Sequence, residues 1–195
     1  MSFKKIKPSK EQLEAIKSGV QIYAPICLYL ILREIESYKN NQVGITPEER
    51  DEIKKIYGIP LGQWPIRQKE DWRRLSNSLP LEQTKKIFAE INYFLIYSVG
   101  ALSSNYVNTD DQSPMLDFLK SIFNDRTLWN PEDPTEDCFS KYRDSDNTFK
   151  TLLYSLSDAI GEHDPLMSHA LTIEIAMIPK FFLEPAVSQI FEKVP

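Results

Sequence analysis

Tyr93-Phe94-Leu95-Ile96-Tyr97-Ser98-Val99-Gly100-Ala101-Leu102 is apolar on every face of a helix. A helix with one apolar stripe lies on a core, whereas one that is apolar all round lies inside it. This stretch is the second half of a segment opened by Pro80, whose missing N–H costs nothing in a first turn. One long helix is therefore expected from Leu81 to about Leu102. A second apolar run, Ile22 to Leu32, has eleven residues. A bilayer needs about 20, so the run reads as another buried helix and no membrane span is expected.

Two buried helices need a shell, and helix signals fill the remaining chain. Ser9-Lys10-Glu11-Gln12 has capping-box form and opens a helix through Leu13, Ile16 and Val20. Pro25 is expected to kink or split that helix before it resumes to about Tyr38. Thr46-Pro47-Glu48-Glu49 opens another, expected to stop at Gly58. Ile59 to Pro65 holds Trp64 between two prolines as a rigid connector, with the tryptophan as a plug pinning it to the core. Arg67 to Asn77 reads as a short basic helix. Ser113-Pro114 is expected to cap a helix carrying Met115, Phe118, Leu119 and Ile122. Asn130 to Asp137 reads as an acidic loop. Asp146 or Asn147 caps a helix that ends at Gly161, and Asp164-Pro165 caps one running to about Met177. Pro179 and Pro185 divide the rest.

The expected fold is all-α, a single compact domain over 1–195 with seven to nine helices around the two buried ones. Ser103–Gln112 (103–112) is the one plausible subdomain joint. A composition of 42% hydrophobic and 26% charged residues supports a core and argues against global disorder. Cys27 and Cys138 make no disulfide framework, so a reducing cytoplasm is the expected compartment. Cys27 reads as a small core residue, and the acidic residues before Cys138 disfavour its thiolate.

Charge is divided unevenly. Residues 1–104 carry 16 Lys/Arg against 12 Asp/Glu, and residues 105–195 carry 7 against 16. The acidic excess is densest from Asp110 to Asp137. An acidic chain disfavours nucleic acid as a partner. The basic segment Arg67–Arg74, with two interrupting carboxylates, reads as a solvated face whose cations pair with the acidic half. Trp129 lies among Asp125, Glu132 and Asp133, and an aromatic anchor ringed by carboxylates suits a basic protein. The expected partner-binding residues are Trp129, Glu132, Asp133, Glu136 and Asp137, with Asp110 and Asp111 upstream.

Catalytic patterns are weak. His163 and His169 are six residues apart, a poor spacing for ligands on one helix face. With Asp164 and Glu174 they define the alternative of a metal-assisted hydrolase. Glu174 has apolar neighbours at helical spacing and is expected to pair with an arginine such as Arg33. No Gly-x-Ser-x-Gly or phosphate-binding glycine loop is present. Asp144 to Thr148 opens like a calcium loop but has Phe149 where glycine is required. Tyr23, Tyr29, Tyr93, Phe94 and Tyr97 suggest a third class, a helical module for an apolar small molecule, but read first as core. The leading expectation is a non-enzymatic interaction domain of immunity, antitoxin or inhibitor type, with no cofactor and no metal. Homo-oligomerisation through the apolar runs is compatible with it.

Overall fold

The computed structural model describes residues 5–41, 45–124, 136–144, 147–161 and 183–192. Among them are eight α-helices and no strand, in one all-α domain. Helix α1 spans Lys10–Lys39 and starts at the expected capping box. Ser9 Oγ accepts from the Gln12 N–H at 3.2 Å, and Gln12 Oε1 accepts from the Ser9 N–H at 2.8 Å.

Pro25 does not split α1. A proline inside a helix costs about 3 kcal/mol or more, but every residue from Ala24 to Leu32 is buried. Each large apolar side chain contributes about 1.5–3 kcal/mol on burial, so the packed run outweighs the lost hydrogen bond. By length and composition α1 could also cross a membrane, although 61% of its most apolar window is buried within the protein.

Helix α2, Pro47–Lys54, has the Thr46/Glu49 capping box. It ends before Gly58. Residues 55–58 form turns, and Gly58 reverses the chain at φ 76°. A 3₁₀ turn, Leu61–Gln63, leads to α3, Ile66–Ser76. Helix α4, Leu81–Ser103, is the central element and packs on α1. Its residues from Ile91 to Val99 are all buried, as expected of the stretch apolar on every face.

Helix α5 corrects an expected boundary. It runs Thr109–Lys120, and Pro114 lies inside it rather than at its start. The preceding residues are already fixed: Val107 is buried, and the Asn108 N–H donates to Ile6 O at 3.0 Å. The carbonyl that Pro114 cannot bond belongs to exposed Asp110, where water can satisfy it. Residues 103–108, within the expected joint, form this tight turn. They are paired to the N-terminal segment by an isolated bridge between Ile6 and Val107.

The 3₁₀ turn Ser121–Asn124 follows. Helix α6 spans Glu136–Arg143, so Glu136 and Asp137 belong to a helix rather than to the expected loop. Asn147 caps α7, Thr148–Ile160, accepting from the Lys150 N–H at 3.0 Å, and Gly161 ends it at φ 76°. Helix α8, Glu184–Glu192, carries Pro185 in its first turn. Helix α4 contacts α1, α5, α6, α7 and α8, and α1 contacts α3, α4, α5 and α8. The two helices read as buried are the two that organise the rest.

Candidate functional site

Two polar clusters lie against this core. The first joins α1, α2 and α3. Arg33 pairs with Glu49 and lies 3.8 Å from Glu36 and from Asp71. Arg74 forks onto both oxygens of Glu36 and reaches Asp71 at 3.2 Å. Arg67 reaches Glu52 at 2.9 Å. The expected pairing of this basic helix with the acidic half of the chain is therefore corrected. Arg67 and Arg74 are held by carboxylates of their own half, which fold topology brings to the same side of α1.

Trp64 closes the apolar edge of that cluster. It is 2% exposed, donates from Nε1 to Ile59 O at 2.9 Å, and meets Tyr29 and Trp72 edge-on with centroids 5.8 Å away. Tyr29 in turn donates to Asp71 Oδ2 at 3.0 Å. The tryptophan is the expected plug.

The second cluster was not expected from the sequence. It joins α4, α6 and α7 in a closed ring of four side chains. Lys141 Nζ donates to Glu90 Oε1 at 2.5 Å and to Ser155 Oγ at 2.9 Å. Tyr142 donates to Glu90 Oε2 at 2.6 Å, and Ser155 also hydrogen-bonds Tyr142. Tyr142 is 1% exposed and lies between Tyr93 and Tyr97 in a column of rings. An ammonium that donates to a serine oxygen has no lone pair to accept the hydroxyl proton. In this geometry Lys141 is the donor and Ser155 the acceptor.

Burial pushes the Tyr142 hydroxyl well above the ordinary tyrosine range, and the Glu90 charge adds to the effect. The neutral phenol is the folded form, so its contribution is complete below the unfolded value of about 10 and is lost as pH rises above it. Stability is expected to fall between pH 10 and 12 by about 1.4 kcal/mol per pH unit from this group alone. Urea titrations at several pH values check this. Tyr142→Phe should be less stable at neutral pH but lose that share of the alkaline slope.

Other expected residues fall as follows. Cys27 is buried and unpaired, and burial pushes its thiol up, as for an inert core cysteine. Four of the five aromatic residues proposed for one apolar pocket lie in three separate places, and Phe94 is buried in the core. Tyr29 packs on Trp64, Tyr93 and Tyr97 flank Tyr142, and Tyr23 lines a groove of about 150 Å³ beside α8. Asp110 is exposed and Asp111 half-buried in the first turn of α5, where carboxylates favour the helix dipole. Asp111 Oδ2 also accepts from Asn108 Nδ2 at 3.1 Å. Glu136 and Asp137 open α6. Trp129, Glu132, Asp133, His163, His169 and Glu174 lie outside the described residues. Among those described, no three or more His, Cys, Asp or Glu side chains converge as a metal site. Compared with known protein families, curated proteins and solved structures, the chain matches none of them.

Proposed function

We propose that this chain is a non-enzymatic helical interaction domain that binds a basic protein through the acidic surface of its second half. An immunity protein, antitoxin or other inhibitor would work in this way. One observation carries the reading. Arg67 and Arg74, in the most basic segment of the chain, pair with Glu36, Glu52 and Asp71. Those cations therefore do not offset the acidic excess of residues 105–195. An uncompensated field of one sign attracts an opposite partner and sets association rate and specificity. In this reading α1 is a core helix rather than a membrane span, and a reducing cytoplasm suits the unpaired, buried Cys27.

The test is to reverse Glu132, Asp133, Glu136 and Asp137 to lysine together. The parent chain is expected to retain a basic protein from lysate at low salt and release it as salt screens the contact. The reversed variant should retain none while keeping its helical circular dichroism. Absence of any salt-sensitive basic partner, or equal retention by the variant, defeats the reading. A stoichiometric transition metal that disappears in His169→Ala would favour a metal-assisted hydrolase instead.

A further inference from the structure

Three members of the ring, Glu90, Lys141 and Ser155, form one side of a cleft of about 280 Å³ between α4, α6 and α7. Small side chains hold it open: Ala89 on α4 and Ala159 on α7 both line it, where longer residues would close the gap. The volume is near the lower end for small-molecule pockets and suits a molecule of amino-acid size. Tyr93 adds an aromatic surface to the apolar wall.

The polar lining is unevenly satisfied. Glu90 has both oxygens occupied, one by Lys141 and one by Tyr142. Lys141 has three N–H donors, of which Glu90 and Ser155 take two, and its side chain is 35% exposed. Lys86 also lines the cleft, is exposed, and makes no ion pair among the described residues. One cleft thus carries an ammonium with no ion pair among the described residues, a second ammonium with a spare donor, and an apolar wall. Asp158 lines it too.

We propose that this cleft binds a small organic carboxylate of amino-acid size. Its carboxylate lies between Lys86 and Lys141, and its apolar part lies against Ala89, Tyr93 and Ala159. Two charge-assisted hydrogen bonds orient the acid, while Glu90 and Tyr142 fix the position of Lys141. Asp158 offers a counter-charge to an amino group, which would distinguish an amino acid from a simple acid. The site uses none of the residues of the acidic surface proposed above and does not depend on that reading.

Benzoate, phenylalanine and benzylamine titrated into the full ¹⁵N-labelled chain test this directly. Benzoate and phenylalanine should give saturable amide shifts at Ala89 and Ala159, with dissociation constants of about 10 mM or tighter; benzylamine should give none. Tighter binding of phenylalanine than benzoate assigns the ammonium to Asp158, and equal or weaker binding assigns a simple acid. Both outcomes support the carboxylate site. Lys86→Gln, an exposed change that leaves the fold intact, should weaken binding about 10-fold or more. Ala159→Leu should fill the cleft and abolish it. No saturable shift with either acid, equal binding by benzylamine, or an unchanged dissociation constant in Lys86→Gln would overturn the proposal.

Discussion

Glu90→Ala is expected to lower stability by about 2–4 kcal/mol, read as a lower urea midpoint with an unchanged slope. The carboxylate accepts from both Lys141 and Tyr142. Its removal leaves a buried phenol with the long contact to the Glu90 carbonyl at 3.5 Å in place of its carboxylate acceptor, a cost of about 1–3 kcal/mol. Lys141, 35% exposed, can regain water, so its share is smaller than that of a fully buried ammonium. Ser155 still accepts from Lys141 and limits the loss further. If orphaned polar groups cause the effect, an apolar replacement of the whole ring should reverse most of it. The triple change Glu90→Leu, Lys141→Met and Tyr142→Phe is expected to be more stable than Glu90→Ala alone. A Glu90→Ala variant within 0.5 kcal/mol of the parent, roughly the size of a surface substitution, would show that the ring contributes little.

Trp64→Ala is expected to cost about 3–5 kcal/mol, in the range for a buried tryptophan truncated to alanine. The side chain is 2% exposed and is the common neighbour of Tyr29 on α1 and Trp72 on α3. Its loss leaves a cavity between α1 and α3, which also meet through the Arg74–Glu36 pair and the Tyr29–Asp71 hydrogen bond. The Arg74 pair is half-exposed, and the Arg67 pair that ties α3 to Glu52 on α2 is more exposed still, so both contribute little. The apolar contact therefore holds α3 in place more than its arginines do. Trp64→Phe keeps most of the volume but loses the bond to Ile59 O, and should cost less than half as much. Thermal or urea unfolding of the two variants checks the ranking.

Most of the fold was legible because its signals are local. Ser9 and Gln12, Thr46 and Glu49, Asn147 and Gly161 act within one turn, and each does what its residue type requires. The all-round apolar run in α4 marked the buried centre for the same reason. Errors came where distant contacts overrule a local preference. Pro25 is overruled by burial along α1, and Pro114 by the anchoring of Asn108 on Ile6. The ring has no strong local signal because Glu90 and Lys141 are 51 residues apart. A faint signal existed: Glu90 follows Ile87, Phe88 and Ala89 and precedes Ile91, a carboxylate in an apolar stretch. The pairing of α3 is not legible in charge totals, which record how many ions a segment has, not which ones the fold places beside it.

The Ile6–Val107 bridge has a consequence for the order in which the chain assembles. The Ile6 N–H donates to Tyr106 O at 2.8 Å, and Ile6 O accepts from the Asn108 N–H at 3.0 Å. Joining these points closes a loop of about 100 residues at an entropic cost of roughly 4 kcal/mol, while two such bonds return only about 1–3 kcal/mol. The strap cannot form by itself. It fastens once α4 has docked on α1 and shortened the distance, and it comes undone without disturbing that pair. The N-terminal segment behaves as a latch on a finished helical body: last to close, first to open, and a gauge of whether the helices beneath it are in place.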